Sequence, residues 1–74
     1  MPTLADLRPG DRADVLALSG APALVQRLYE LGLFEGECVE LLAVAPLGDP
    51  LELEVRGGRI SIRRRDAAAV ELEP

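Results

Sequence analysis

Glycine and proline divide this chain into short segments, and that division limits what the chain can fold into. The sequence has 7 glycines and 6 prolines in 74 residues. The breaks fall at Pro9-Gly10, at residues 19–22, at Gly32, at residues 46–50 and at Gly57-Gly58. Because these residues favour turns, each element between two breaks has to be short.

Most of the segments between the breaks alternate apolar and polar residues, a pattern that is typical of strands. The predicted strands cover residues 12–18, 38–45, 51–56, 59–63 and 70–73. Five strands this short cannot cover a core as a flat sheet, so we expect them to curl into a small, partly open barrel. The whole chain, residues 1–74, is predicted to form a single, mainly β domain.

One segment has helical spacing, and it follows the first strand. Leucines recur at i, i+4 and i+7, while polar side chains point away. The inward set is Leu24, Leu28 and Leu31, and the outward set is Gln26, Arg27 and Glu30. Gly32 should end the helix in the left-handed conformation, so that Leu33 folds back onto the last turn. We therefore expect Leu28, Leu31 and Leu33 to belong to the core.

Two shorter helical turns are also predicted. Thr3 and Asp6 have the spacing of a capping box, which predicts one turn over residues 3–7. A second turn, at residues 66–69, should connect the fourth strand to the last.

Two details of the strands follow from the same patterns. Leu16 and Leu18 interrupt the alternation of the first strand, so its far end should be covered on both faces. Gly57-Gly58 predicts a two-residue hairpin loop, because glycine tolerates the positive φ of such turns. That loop would place Arg56 opposite Arg59, and Glu52 opposite Arg63.

The charge of the chain excludes several classes of function. The net charge is −5, and arginine supplies all 8 basic residues. This argues against general nucleic-acid binding and against an anionic membrane surface. No apolar run approaches the ~18 residues of a membrane-spanning helix, and no secretory leader is recognisable at the N-terminus. With one cysteine there is no internal disulfide, so we expect a cytoplasmic protein.

The residues usually needed for catalysis are missing. The chain has no histidine and no lysine, and it lacks a phosphate-binding loop. Cys38 is flanked by carboxylates that would not activate a thiol, and we expect it to pack as a small apolar residue. Arg27 or Arg56 could serve as an arginine finger, but a solvated surface charge is the simpler interpretation. We expect no enzyme and no cofactor.

A dedicated metal site is not predicted either. Transition-metal sites commonly combine histidine with carboxylates, and the carboxylates here are spread along outward-facing strand positions. Binding to a partner is the class of function that remains.

The order and spacing of four motifs identify a family. They are Leu7-Arg8-Pro9-Gly10, the run Leu28-Tyr29-Glu30-Leu31-Gly32-Leu33 followed by Gly36, the run Ala45-Pro46-Leu47-Gly48-Asp49-Pro50-Leu51, and Val55-Arg56-Gly57. Over residues 4–72 the chain resembles the FeoA family, small cytoplasmic proteins of bacterial ferrous iron transport. The resemblance implies an SH3-like barrel fold and an action on FeoB, a membrane iron transporter with a GTP-binding part. Against this pattern, Gly58 and the triple Arg63-Arg64-Arg65 look like ordinary variation.

The expected binding surface is a shallow aliphatic patch formed by the helix end and the turn at residues 46–50. Leu47 is the leading contact candidate, because an apolar residue in a rigid turn is hard to bury. The other candidates are Phe34 and Tyr29, the outward helix residues Arg27 and Glu30, and Asp49, which has an alternative role as a turn residue.

Two hypotheses follow from the resemblance. The first is a non-enzymatic partner of a FeoB-type transporter, without nucleic acid and without membrane insertion. The alternative is an SH3-like interaction module that regulates a metal-dependent transcriptional repressor. Exposed strand edges make a homodimer possible. The sequence leaves open whether the protein activates, inhibits or only assembles the transporter.

Overall fold

Residues 2–74, the part of the chain that the computed structural model describes, form five strands and two helices. In chain order they are β1 Arg12–Leu18, α1 Pro22–Glu30, β2 Cys38–Val44, β3 Leu51–Val55, β4 Gly58–Ile62, α2 Arg64–Ala67 and β5 Val70–Leu72. One 3₁₀ turn, Leu4–Asp6, precedes β1, and a tight turn at Pro46–Gly48, with left-handed backbone at Leu47, precedes β3. None of the helices in the described part is long and apolar enough to cross a membrane.

The strands pair in one antiparallel sheet with the order β4-β3-β2-β1-β5. The first half of β1 pairs with β2, where Asp14 lies opposite Cys38, and its second half pairs with β5, where Leu18 lies opposite Val70. Because one strand serves two partners along its length, the sheet curves around its own inner face. This confirms the predicted mainly β fold with one helix after the first strand.

The core on that inner face is entirely aliphatic. The buried hydrophobic residues are Leu4, Val15, Leu28, Leu33, Val39, Leu41, Leu51, Leu53, Val55, Ile62, Ala67, Val70 and Leu72. No polar or charged residue of the described part is buried with them. Close packing of branched aliphatic chains, rather than buried polar networks, therefore holds the sheet, the helix and the N-terminal turn together.

The end of α1 is a Schellman motif centred on Gly32. The Leu33 N–H donates to the Leu28 carbonyl at 3.1 Å, and the Gly32 N–H donates to the Tyr29 carbonyl at 2.9 Å. Gly32 has a φ of +97°, which a residue with a Cβ adopts only at a cost. Leu33 is fully buried, so the predicted helix stop and the return of the chain to the core are both confirmed.

The N-terminal segment is attached to the edge of the sheet that β5 forms. The predicted capping box is present: the Asp6 carboxylate accepts from the Thr3 N–H at 2.8 Å, and the Thr3 hydroxyl accepts from the Ala5 N–H at 3.2 Å. Thr3 also forms an isolated antiparallel β-bridge with Glu71, and the Leu72 N–H donates to the Pro2 carbonyl at 2.8 Å. Residues 2–3 therefore cover the outer edge of β5.

The prediction that both faces of the far end of β1 are covered is wrong for Leu16. The pairing with β5 shifts between Val15, opposite Leu72, and Ala17, opposite Glu71, so Leu16 is an extra residue in a β-bulge. The bulge leaves Leu16 at 36% exposure and returns Leu18 to the core side. The broken alternation therefore signals a bulge and not a doubly covered strand.

The predicted register of the second hairpin is also wrong, by two residues. Val55 pairs with Gly58, so the loop is Arg56-Gly57 with φ values of 54° and 79°. Two consecutive positive φ angles are those of a type I′ turn. A shift of two residues keeps every side chain on its expected face.

The observed register improves the charge pairing across the hairpin. Glu54 lies opposite Arg59, whereas the predicted loop would have placed Arg56 opposite Arg59. Arg56 is also held outside the strand, because its Nε lies 3.6 Å from Glu37 and its guanidinium lies over the Phe34 ring.

Alanine substitutions at the two glycines distinguish these registers. Gly57→Ala places a side chain at a φ of +79° and should lower the free energy of unfolding by about 1–2 kcal/mol. Gly58→Ala should be neutral or stabilising by up to about 1 kcal/mol, because Gly58 lies in a strand and its added Cβ would meet only the Val55 carbonyl at 3.7 Å. Urea unfolding of both variants measures the difference. Equal losses would contradict the Arg56-Gly57 loop.

Candidate partner-binding surface

Leu47, the leading predicted contact residue, lies in the turn formed by residues 46–50, which we call the 46–50 turn. Its side chain is fully exposed, at 104% of the reference area, and its φ is 72°. A left-handed conformation costs an ordinary L-residue about 1–2 kcal/mol. The turn is nevertheless well formed, because the Ala45 N–H donates to the Pro50 carbonyl at 3.0 Å and the Gly48 N–H donates to Ala45 at 2.9 Å. An apolar side chain held in a strained turn and touching only solvent is a candidate contact for a partner.

Arg64, the first residue of α2, anchors this turn to the rest of the protein. Its Nε donates to the Gly48 carbonyl at 2.9 Å, and its Nη1 donates to the Ala5 carbonyl at 2.9 Å. Its backbone N–H donates to Asp49 Oδ1 at 3.0 Å. One arginine therefore connects the 46–50 turn, the N-terminal 3₁₀ turn and α2.

Asp49, a predicted contact residue, has a structural role in this arrangement. Its carboxylate accepts the free N–H at the start of α2, as a capping residue does. Arg64 is not among the predicted site residues, since it is the middle member of Arg63-Arg64-Arg65 and nothing in the sequence shows which of the three turns inward.

Arg27 and Glu30 lie on the exposed side of α1, as predicted. Arg27 Nη2 lies 3.2 Å from Asp66 Oδ2 of α2, and its side chain is 60% exposed. Glu30 accepts a hydrogen bond from Gln26 Nε2 at 3.4 Å on the same helix. Exposed pairs of this kind contribute little to stability, so both side chains can exchange these partners for others.

Phe34 belongs to an aromatic cluster at the end of α1. Its ring stacks on Tyr29 with centroids 5.4 Å apart, and Arg56 lies over its face at 5.9 Å. The Tyr29 hydroxyl donates to Glu35 at 2.9 Å, and this hydrogen bond is the main reason that the pKa of Tyr29 is raised above its ordinary value. Phe34 keeps 39% of its surface exposed.

Five of the six predicted contact residues fall into two groups, and Glu30 bonds to Gln26 within α1. Arg27, through Asp66, and the 46–50 turn, through Arg64, both attach to α2. Phe34 lies with Tyr29 and Arg56 instead. Arg27 and the 46–50 turn are thus connected through α2, whereas the contacts of Phe34 do not involve α2.

A cleft of about 360 Å³ lies beside α1. We call it the α1–β4 cleft, because Leu28 and Leu31 of α1 and Ile62 of β4 form its apolar part. Its polar lining is Arg27, Ser61, Arg63, Arg65 and Asp66. The 46–50 turn is not part of this lining. The cleft is a feature that sequence analysis missed, and the arginine triple was its only signal.

The expected packing of Cys38 as a small apolar residue is wrong. Val39 and Leu41 face the core, so the alternation of β2 places Cys38 on the outer face, where it is exposed. Within residues 2–74 no three His, Cys, Asp or Glu side chains are grouped so as to hold a metal ion.

The fold and these motifs agree with the comparisons with known proteins. The model of the FeoA domain matches residues 3–74. The chain belongs to the FeoA family. This is a family of small accessory domains of ferrous iron transport, and it is not known as a family of enzymes.

One relative of this chain is a fusion protein. The Fe(2+) transport protein A/Fe(2+) transporter FeoB fusion protein of Porphyromonas gingivalis is 33% identical to this chain over 70 residues. The match covers 95% of this chain but only 8% of the fusion protein.

Solved structures show the same fold. The FeoA protein of Chlorobium tepidum is 38% identical with a TM-score of 0.88, over 96% of this chain and 68% of that one. The FeoA of Stenotrophomonas maltophilia, solved in complex with zinc and described as a prokaryotic SH3 domain protein, is 31% identical. Its TM-score is 0.85, over 99% of this chain and 91% of that one. The SH3-like fold implied by the resemblance is therefore confirmed.

A manganese-dependent transcriptional repressor is also similar in structure, with a TM-score of 0.87 over 95% of this chain and 35% of the repressor. At 18% identity this likeness shows a shared fold alone.

The anchoring role of Arg64 predicts a clear loss of stability when its side chain is removed. Arg64→Ala should lower the free energy of unfolding by about 1.5–3 kcal/mol, because two partly buried charge-assisted hydrogen bonds are lost. Arg65→Ala is the matched control, since Arg65 is 85% exposed, and should change stability by less than about 0.5 kcal/mol. Urea unfolding measures both. Similar values for the two variants would contradict the anchoring role.

The strain at Leu47 predicts an unusual effect of a polar substitution. Leu47→Asn should raise the free energy of unfolding by about 0.5–1 kcal/mol, since asparagine adopts the left-handed region more readily and no packing is lost. Leu16→Asn, at another exposed leucine but in a strand, should instead lower it. Thermal and urea unfolding of the pair test this contrast. A loss at Leu47 as large as at Leu16 would show that Leu47 packs against the protein.

Proposed function

We propose that this chain is a non-enzymatic accessory protein of ferrous iron uptake that acts in the cytoplasm. It binds the cytoplasmic part of a FeoB-type transporter and modulates its nucleotide turnover. The observation that carries the proposal is the relative in which a transport protein A segment and a FeoB transporter form one polypeptide. Fusion keeps two modules at a high effective concentration, which is of use only where they act together.

The surface that supports this proposal best is the 46–50 turn. Leu47 offers a complete apolar side chain, and Arg64 and Asp49 hold the turn in one conformation. Little conformational entropy is then lost when a partner covers Leu47. Arg27 and Glu30 on the exposed side of α1, and Phe34 in the aromatic cluster, are the further proposed contacts.

A binding role agrees with the side chains available. The chain has no histidine or lysine for general base or Schiff-base chemistry. Arg27 and Arg56, the two arginines considered as fingers for a GTPase, are each paired with a carboxylate on the protein's own surface. Both arginines have the ion pairs of ordinary surface charges, and the proposal is that nucleotide turnover changes through contact alone.

The alternative hypothesis, regulation of a metal-dependent repressor, gains no separate support. The likeness to such a repressor is a likeness of fold. An adjacent gene for a helix-turn-helix regulator, in place of one for a large GTP-binding membrane protein, would favour that alternative.

The test is binding of the chain to the purified FeoB-type transporter from the same genome, measured by calorimetry. Leu47→Asn should weaken binding by about 10- to 100-fold, the equivalent of one leucine no longer buried. Leu16→Asn is the matched control and should bind like the unmodified chain. GTP hydrolysis by the transporter, measured with and without each protein, should change in parallel with binding.

Two outcomes would contradict the proposal at different levels. Equal binding by Leu47→Asn and the unmodified chain would remove the 46–50 turn from the interface. An unmodified chain that neither binds the transporter nor changes its GTP hydrolysis would overturn the proposed function.

A further inference from the structure

The two edges of the sheet differ in whether another segment covers them. Residues 2–3 cover the outer edge of β5 through the Thr3–Glu71 bridge and the hydrogen bond from Leu72 to Pro2. At the other end of the sheet, β4 pairs with β3, and no second strand of the described part lies beside it. An uncovered edge is a template for another extended chain.

The hairpin register defines which backbone groups this edge offers. A two-residue loop makes the flanking pair Val55–Gly58 hydrogen-bonded, and hydrogen-bonded pairs then alternate along the ladder. Gly58, Ile60 and Ile62 therefore direct their N–H and C=O groups toward β3. Arg59 and Ser61 direct theirs outward, where they are available to an added strand.

The α1–β4 cleft lies directly beside this edge. Leu28, Leu31 and Ile62 provide the apolar floor of the cleft. Two other lining residues belong to the edge: Ser61 lies in β4, and Arg63 directly follows it. An extended segment that pairs with β4 can therefore place an alternate side chain in the cleft.

The rim of the cleft is basic in a protein of net charge −5. Three of its lining residues are arginines, Arg27, Arg63 and Arg65, and its one carboxylate is Asp66. Asp66 is shared between Arg27 at 3.2 Å and Arg65 at 4.0 Å, which leaves the rim with an excess of positive charge. The complementary ligand is acidic.

We propose that the β4 edge and the α1–β4 cleft bind an extended, acidic segment of a partner protein by strand addition. Its backbone pairs with the outward groups of Arg59 and Ser61. One apolar side chain enters the cleft, and neighbouring carboxylates pair with Arg63 and Arg65. This proposal concerns a surface separate from the 46–50 turn and does not depend on the identity of the transporter.

A second copy of this chain fits the edge poorly. The β4 strand carries no carboxylate, so a second β4 brings no charge complementary to the basic rim, and antiparallel pairing centred on Ser61 would also place Arg59 of one copy opposite Arg63 of the other. The β5 edge of a second copy is already covered by its own residues 2–3. A homodimer through β4 is therefore disfavoured relative to an acidic partner.

Arginines on an exposed edge also have a purely protective interpretation, because charged side chains there deter unwanted pairing. In that case Arg63→Gln would increase self-association, seen by light scattering at several concentrations, and would leave binding of an acidic peptide unchanged. That pair of results would overturn the proposal.

The direct test uses an end-capped peptide of alternating glutamate and aliphatic residues as the probe, titrated into the ¹⁵N-labelled chain. Amide shifts should concentrate at residues 59–63 and in the second half of α1. The double variant Arg63→Glu/Arg65→Glu should bind at least about tenfold more weakly. Arg8→Glu with Arg12→Glu makes the same change in net charge on residues outside the cleft lining and should bind almost normally.

Strand addition is tested separately from charge. The same peptide with alternate amides N-methylated keeps its carboxylates but cannot pair, and it should lose binding. Ser61→Pro removes one outward N–H at a position where an edge strand tolerates proline, and it should have the same effect. The N-methylated peptide keeps the test valid if that variant does not fold.

Each remaining outcome overturns the proposal. These outcomes are no binding of the probe, shifts that fall outside the β4 edge and the cleft, equal binding of the N-methylated peptide, and the same shifts with inorganic phosphate alone. The last would show an anion site without a role for the edge.

Discussion

The surface around the 46–50 turn depends on the hydrogen bonds of Arg64, which join three segments that are far apart in the sequence. Its side chain reaches Gly48, 16 residues away, and Ala5, 59 residues away, while its backbone N–H meets Asp49. The core that these segments cover contains no buried polar group in the described part, and apolar packing does not specify direction. A planar guanidinium with fixed donors does specify direction. Arg64 therefore helps to fix the orientation of the 46–50 turn relative to α2 and the N-terminal turn.

This division of roles explains why Leu47 can be strained and exposed without endangering the fold. The turn closes through backbone hydrogen bonds of Ala45, Gly48 and Pro50, and none of them involves the leucine side chain. Its conformational cost, about 1–2 kcal/mol, is small enough for a rigidly anchored turn to bear. A glycine or asparagine would satisfy the backbone better. The side chain of Leu47 is thus a feature that folding does not require, which makes it the clearest candidate for selection by a partner.

How far the sequence predicts this structure depends on whether the deciding interactions are local. The helix stop at Gly32 was predictable, because the Schellman motif involves only residues 28–33. The hairpin register was not, because Arg56, Gly57 and Gly58 offer two adjacent loops, and contacts from Glu37 and Phe34 help to select one. The bulge at Leu16 depends on the pairing with β5, more than fifty residues later. Among three consecutive arginines, only the tertiary fold shows that the middle one turns inward.

The same dependence on tertiary structure produces the unequal edges of the sheet. The N-terminal turn covers β5 because Leu4 is buried in the core, which brings Pro2 and Thr3 beside Leu72 and Glu71. No comparable segment follows β4, since α2 begins two residues after it and leads the chain back across the sheet. The sharp entry into α2 places Arg63 and Arg65 beside the open edge and sends Arg64 inward. At the start of α2, Arg64 therefore anchors the 46–50 turn, and its two neighbours, Arg63 and Arg65, give the free edge its positive charge.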